Sequence, residues 1–572
     1  KARLEEGRRL LQQIRENKQI GVVIFARSYM SQDSGANLGI SEELARLGVV
    51  PVPLDFLPLN SVNIREYSDR PYWFYEAKHI AGAAITAQDP HLYGLALTNF
   101  GCGPNSFVLN LVQDIMGNKP LGQLEIDEHA AEAGLITRLE AFVDTIRAFS
   151  QSSKSHRVET LENIYRTAAV SFSRNDKVII MPRMCNHALI LGAAMEAFGT
   201  KVAVLPQADE RNLLYSSKMT SGKECLPYRV TLGDFMRFYY EGAGDGLGPE
   251  DVEGFMGASF GPCRFGKYAV EQRRILKEIG FDFNIRTTVS NTAYSDFNLG
   301  SAFERLAWKG LVAEDYLERL LWRSRPYERT PGATENLYEE YLARLTDCVR
   351  KRESFDDLMR KATSEFKSQI DPHLPRRPLV GINGEIFLRS NSFSNSNLVK
   401  ECENAGLEVI VSPVSEWFKY LTHRKIEDGI RDRELKKIIS GYLRQLWQKR
   451  AERVVGNNFA ELLDTREPSA KDILSISSRY LSPICGSEAV MSIGVGVEWM
   501  ESPQFAGVIS VMPHGCMPGG IVAAMSEKFS ATHGKPWINL TYDGFMETNN
   551  LVKINNFAEV IRFCSKMVGK AP

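Results

Sequence analysis

The sequence predicts an α/β fold of three related parallel-sheet domains, Rossmann- or flavodoxin-like, plus bridging helices. Three observations carry that reading. Short β-branched runs alternate with longer helical patterns, as in folds built on largely parallel strands. The alternation occurs three times in the same order. Each occurrence sets one cysteine in a glycine- and proline-rich turn between a strand and a helix.

The first unit opens on the strand GVVIF (21–25), runs through the helical NLGISEELARLG and reaches VVPVPLD (49–55). The second reads KVIIMP (177–182), HALILGAAMEAFG and KVAVLPQ (201–207). The third reads PLVGING (378–384), NLVKECENAG and LEVIVSP (407–413). Each helix closes on a glycine cap, and proline stands within a residue or two of each second strand. Farther on, GLALTNFGCGPNSFVLNLVQDIMG (94–117) leads to PLGQLEID, and GFMGASFGPCRFGKYAVEQRRILKEIG (254–280) leads to FDFNIRTTV. GVISVMPHGCMPGGIVAAMSEKF (507–529) leads to KPWINLTYD. These predict domains over 1–150, 158–370 with a helical extension, and 376–572 with a helical insertion. The polar stretches SQSSKSHR (150–157) and DPHLPRRP (371–378) mark the joins. Charged helical segments such as ENLYEEYLARLTDCVRKRESFDDLMRKA read as packing or bridging helices without chemistry. No periodic interface helix stands out.

At 572 residues the chain exceeds one core. With 44% hydrophobic and 24% charged residues it reads as an ordinary globular protein. A formal net charge of −1 gives no field suited to nucleic acid or a membrane surface. No apolar run approaches the roughly 18 residues of a membrane span. The opening KARLEEGRRLLQQIRENKQ predicts a charged amphipathic helix, not a signal peptide. Beginning at Lys, the chain reads as one piece of a longer polypeptide. Nine cysteines without a secretory signal point to a reducing, cytoplasmic setting.

In open α/β sheets ligands sit beyond the carboxyl ends of the strands, where helix N-termini point. Cys102, Cys263 and Cys516 each occupy that position in their own unit. Neighbouring glycines let a bulky ligand approach, and a helix N-terminus favours thiolate over thiol. Cys225, in TSGKECLPYRVTLGDF, precedes a helix, and Cys485, in YLSPICGSEAV, stands at the matching point of the third unit. Cys185, in MPRMCNHA, follows the first strand of the second unit. Cys348, Cys402 and Cys564 lie within helical patterns and read as small buried hydrophobes. Structural zinc uses closely spaced pairs such as Cys-x2-Cys, which this sequence lacks. Thiols scattered over hundreds of residues suit an iron–sulfur cluster instead. Cys102, Cys225, Cys263 and Cys516 match one 4Fe-4S cluster; adding Cys185 and Cys485 gives enough for something larger.

The segments FGCGPNSF, EIDEHAAEAGLITRLEAF, SGKECLPYRVTLGDF, GPCRFGKY, GEIFLRSNSFSNSNLV and MPHGCMPGGIV resemble the cysteine-bearing portion of the large CoA-substrate-specific enzyme activase proteins. That portion is related to the iron–sulfur subunits of 2-hydroxyacyl-CoA dehydratases and benzoyl-CoA reductases, and to double-cubane cluster proteins. The resemblance runs from about residue 20 to about residue 565. It implies an oxygen-sensitive cluster held by Cys102, Cys225, Cys263 and Cys516. Cys185 and Cys485 lie in weaker motifs, and they separate a single 4Fe-4S cluster from an 8Fe-9S double cubane. It further implies an ATP-hydrolysing activator, an actin-like ATPase with its own iron–sulfur cluster, which supplies low-potential electrons. In the large fused proteins the activator modules precede this region. No P-loop or actin-like phosphate loop occurs here, so the chain is expected to be the electron acceptor. Homodimers are common in these families.

Other polar residues flank the thiols. His514 and His187 stand two residues from Cys516 and Cys185, as donors to a cluster sulfur, proton sources or ordinary loop histidines. Arg264 is placed to bond an anionic cluster, a substrate carboxylate or a phosphate, or to form a surface ion pair. Glu224 adjoins Cys225. Asp127, Glu128, His129, Asp543 and Glu547 follow fourth strands, where proton transfer and helix capping are both open to them. The Asn/Ser-rich GINGEIFLRSNSFSNSN suits phosphate or amide recognition, or caps its own helix. Two functions follow. One is an iron–sulfur reductase or 2-hydroxyacyl-CoA dehydratase-like component acting on a small molecule or acyl-CoA. The other is a non-catalytic cluster-carrying electron-transfer or scaffold module. A thiol-based or zinc protein is a weaker third.

Overall fold

The computed structural model describes residues 2–68, 71, 73–99, 102–127, 129, 132–151, 168–169, 177–242, 246–258, 261, 263–287, 297–464, 467–544 and 549–568. Two compact units emerge, Lys1–Thr167 and Ala168–Pro572.

The first unit holds one sheet of β1 (Gly21–Phe25), β2 (Val50–Pro53), β3 (Leu92–Asn99) and β4 (Leu121–Ile126), in the order β2-β1-β3-β4. Every pairing is parallel. β1 is buried along its whole length, which is why GVVIF reads as an unbroken apolar run and not an alternating one. Val22, Ile24, Leu95 and Leu97 pack against Leu139, Val143 and Ile146 of the helix Glu132–Gln151.

The second unit holds two sheets. β5 (Ala168–Ala169), β6 (Val178–Met181), β7 (Val202–Val204), β8 (Val252–Met256) and β9 (Ile285–Thr287) run in the order β5-β9-β8-β6-β7. β10 (Leu379–Gly384), β11 (Glu408–Val411), β12 (Phe505–Pro513) and β13 (Trp537–Tyr542) run β11-β10-β12-β13. Here too every strand pair is parallel.

All three sheets therefore share one plan. The second strand lies on one side of the first, and the third and fourth lie on the other. The middle sheet adds the two-residue β5 at its edge. Strand order reverses between first and third strands, and this is where α/β sheets open a crevice at their carboxyl ends. The α/β class, the parallel sheets and the bridging helices stand as the sequence predicts.

Between the sheet segments of the second unit, a helical layer forms around Gly300–Ser324. Trp308, Phe303 and Leu317 of that helix meet Tyr341, Phe366 and Phe459 from neighbouring helices in one apolar cluster. In the third sheet a polar chain pins the strands. Trp537 Nε1 donates to Ser510 Oγ, Ser510 Oγ to Asn383 Oδ1, and Asn383 Nδ2 to the Ser492 carbonyl. Gly384 ends β10 with φ +117°, and a Cβ there would fall 2.0 Å from the Val511 carbonyl oxygen. Only glycine fits that step.

The helix Leu435–Gly456 corrects one expectation. Leu435, Ile439, Leu443 and Leu446 line one of its sides and are 59–72% exposed. Lysines and arginines interleaved with this row mask its three- and four-residue spacing in the linear sequence. Among the described residues no helix is long and apolar enough to cross a membrane.

A candidate thiol centre and an adjoining polar cavity

Cys225, Cys263 and Cys516 are the N-cap residues of three helical segments, Leu226–Glu241, the 3-10 turn Arg264–Lys267, and Met517–His533. All three have extended backbones, so each thiol stands where the free N–H groups of a helix start converge. Cys225 and Cys516 are followed two residues later by Pro227 and Pro518 in the first turn. Proline is well tolerated there because that turn's N–H groups lack intrahelical acceptors.

Arg264 ties the three turns together. It adjoins Cys263, and its Nη1 donates to the Lys223 carbonyl at 3.0 Å, two residues before Cys225. Its Nη2 donates to the Gly515 carbonyl at 3.3 Å, one residue before Cys516. Arg264 is itself buried. Burial alone would lower its pKa; the Cys225 thiol, Tyr268 and the Cys516 and Cys263 thiols raise it instead. Cys225 is buried, and Cys263 and Cys516 are half-buried. Removal from water pushes the Cys263 thiol up, with Glu488, Cys516 and Cys225 adding to the effect and the Phe265 N–H opposing it. Cys516 is raised by the same desolvation, against the Gly519 N–H and with Glu488, Glu385 and Cys225 adding. Cys225 and Cys516 act on Cys263 electrostatically, so the three thiols share one neighbourhood. Cations that bind such thiols displace their protons.

Three further residues complete the surroundings. The Tyr268 hydroxyl and Cys225 Sγ are hydrogen-bonded at 2.5 Å, with Tyr268 buried. Glu385 caps a short helix by accepting from the Phe387 and Leu388 N–H groups. Glu488 accepts from the Ile386 N–H at 2.8 Å, and its pKa is pushed up to about 8 by desolvation and by Glu385. Glu385, Glu488, Met512, Cys516 and Gly519 line a cavity of about 10 Å³, room for about one water.

The other predicted residues lie as follows. Cys102, in the first unit, follows β3 and receives Arg27 Nη2 at 3.7 Å. Its helix, Asn105–Met116, is capped not by the cysteine but by Pro104, although the Cys102 carbonyl still accepts from Ser106 N–H. Cys485 is exposed and ends the 3-10 turn Pro483–Cys485, so it does not repeat the N-cap geometry of Cys225. Cys402 is fully buried in an apolar cluster, as expected of a packing residue. Cys348 and Cys564 are half-buried. His514 is exposed, and its backbone N–H bonds the Tyr542 carbonyl. Glu224 closes its own loop by accepting from Ser221 and Gly222. Asp127 accepts from the His129 N–H, a local turn. The Asp543 carbonyl accepts from Arg229, linking the Cys225-capped helix to the end of β13. Glu128 and Glu547 lie outside the described residues.

Cys185 belongs to a different place. It lines a polar cavity of about 230 Å³ at the carboxyl ends of β6, β7, β10 and β11. Arg183, Arg325, Arg389 and Lys400 stand in its wall, with Gln207 and the Asn/Ser loop of 390–397. That loop is mostly self-capping: Asn391 Oδ1 accepts from Ser394 N–H, and Asn395 bonds to the backbone of Leu388 and Leu398. Arg389 links the cavity to the thiol centre. It lines the cavity and bonds the Gly384 and Pro413 carbonyls, and its charge opposes the rise in the Glu488 pKa.

Sequence reasoning missed Tyr268, Glu385 and Glu488. The Cys-x-Pro spacing shared by Cys102, Cys225 and Cys516 marks helix starts at all three but points to none of these residues. In comparisons with known proteins, no family model matches the chain and no curated protein matches it.

Proposed function

We propose that the chain is an iron–sulfur redox protein which accepts low-potential electrons from an ATP-dependent activator and reduces or dehydrates a small substrate. The observation that carries this reading is the convergence of Cys225, Cys263 and Cys516 at three helix starts tied by Arg264. The donor set fits: three soft thiols in a poorly solvated site, with positive helix ends and a guanidinium to offset anionic charge. When bound, such a cluster supplies single electrons at low potential. Cys225, Cys263 and Cys516 would hold it. Tyr268 and Arg264 hold the thiol-bearing turns in place, and Tyr268 bonds one sulfur directly. Glu385 and Glu488 bring carboxyl groups beside Cys516. Arg183 and Arg389 suit an anionic small molecule or the phosphates of an acyl-CoA in the neighbouring cavity, where Arg325 and Lys400 are already paired with Glu403 and Glu335.

The test is iron and acid-labile sulfide per chain on strictly anaerobic protein, with electron paramagnetic resonance after reduction. About four irons and four sulfides support a single cubane; about eight irons with nine sulfides support the double cubane and bring in Cys185 and Cys485. No iron after anaerobic reconstitution overturns the proposal and leaves a thiol or zinc protein.

A further inference from the structure

We propose that His187, Glu314 and Glu318 form a mononuclear site for a divalent first-row transition cation, oriented by Asp315 and open to the polar cavity. His187 is the first residue of the helix His187–Glu196. Glu314 and Glu318 lie one turn apart on Gly300–Ser324 and so share a face of that helix. One donor atom from each of the three residues lies within 4.8 Å of the other two.

The hydrogen bonds leave these donors unused. His187 Nε2 is bonded to Asp315 Oδ1 at 3.0 Å, with both side chains buried. Asp315 is fixed in turn by the Val414 N–H at 2.8 Å and the Ser415 N–H at 3.1 Å. The other ring nitrogen, His187 Nδ1, makes no direct hydrogen bond in a residue only 3% exposed, although the Cys185 thiol stands close enough to act on the ring. Glu314 is 0% exposed. Its Oε1 accepts from the Tyr338 hydroxyl at 2.5 Å, and its Oε2 has no partner. Tyr338 is held from the other side by Asn186 Nδ2 at 2.7 Å.

Buried polar atoms are nearly always satisfied. The Glu314 oxygen has no partner and the imidazole nitrogen only the nearby Cys185 thiol, which points to a ligand that takes both. The arrangement around His187 is that of a metal-binding histidine, whose second nitrogen typically bonds a fixed carboxylate. Two carboxylates this close and this buried repel one another, and a divalent cation would cancel both charges. One imidazole and two carboxylates suit zinc, manganese or ferrous iron. Glu318 is half-buried and lines the cavity of about 230 Å³, which gives an ion a way in and leaves a position open toward that space. This inference is independent of the thiol centre.

Mn²⁺ is the probe of choice because hard oxygen and imidazole donors bind it while free thiols compete poorly. The full chain, stripped with chelator, is titrated with Mn²⁺, and loss of the free-ion paramagnetic signal counts what is bound. The expected result is one ion per chain in the wild type and in Cys225→Ser. Glu318→Gln and Glu314→Gln should each weaken binding at least about tenfold, and Asp315→Asn, which touches no ion, about 10- to 100-fold. Glu318 is only half-buried, so its glutamine variant keeps the fold. Mn²⁺ should raise the thermal midpoint of the wild type and not that of Glu318→Gln. No bound ion in the wild type, or equal binding and equal thermal response in Glu318→Gln, overturns the proposal.

Discussion

Cys102 and Cys516 follow the third strands of sheets with the same strand order, in turns with the same Cys-x-Pro spacing, yet their surroundings have opposite chemistry. In the first unit an arginine from the loop after β1 points at the thiol. In the second, the corresponding loop after β10 brings the carboxylate Glu385, and the guanidinium arrives from the neighbouring sheet instead. The cap differs as well, Pro104 in one and the cysteine itself in the other. The repeat thus copies a position and not an environment. A thiol in the first unit has its cation locally; a thiol in the second depends on a pocket assembled from two sheets.

The sharpest break in that comparison is loss of a shared thiol. Cys225→Ser, Cys263→Ser and Cys516→Ser should each remove most of the iron and sulfide from anaerobically reconstituted protein, while Cys402→Ser should retain the wild-type content. Equal retention in all four would separate the thiol group from any cluster. Next come the steps at the strand ends. Gly384→Ala forces a Cβ against the Val511 carbonyl at positive φ, and should cost more than about 3 kcal/mol in urea unfolding. Ala26→Gly, just beyond β1, should cost about 1 kcal/mol or less. Similar losses at the two positions would mean that the strand ends are equally permissive.

A third test uses pH within the first unit. His79 is buried, and desolvation holds its pKa down at about 4 against an ordinary 6.5, with the Ala26 carbonyl partly opposing. The unfolded chain therefore binds the extra proton first. The contribution of neutral His79 is complete above pH 6.5 and is lost as pH falls toward 4. At about 1.4 kcal/mol per pH unit this amounts to about 3 kcal/mol. His79→Leu should flatten that part of the stability profile, and an unchanged slope would remove His79 as its source. A smaller effect than at Gly384 or His79 is expected at Arg264. Arg264→Lys loses the planar fork that spans two carbonyls and should cost about 2 kcal/mol. A change below about 0.5 kcal/mol would show that the turns hold without it.

The fold was largely legible because hydrophobic runs and glycine caps are local signals, and their threefold order exposes the shared strand plan. Cys225, Cys263 and Cys516 were legible for the same reason, since each sits at a turn. Their partners were not. Tyr268 reads as one more aromatic in an amphipathic helix, and only the docking of two helices brings its hydroxyl to a sulfur 43 residues back. Glu488 and Ile386 meet across 102 residues. His187 stands two residues from Cys185, but nothing in the linear sequence links it to Asp315, 128 residues away. The exposed row on Leu435–Gly456 was hidden because its charged neighbours give the segment a mixed composition.

The reach of Arg264 sets a timetable for making this protein. Its partners lie 41 residues behind it and 251 residues ahead. At ordinary translation rates of about 5–20 residues per second, the segment carrying Cys516 leaves the ribosome on the order of tens of seconds after Cys263. Throughout that interval Cys225 and Cys263 are present without their third companion, and neither turn can be locked to the last. The pocket is therefore one of the final parts of the unit to exist. Whatever occupies it must be delivered after the segment carrying Cys516 has emerged, and the early thiols stand without that partner until then.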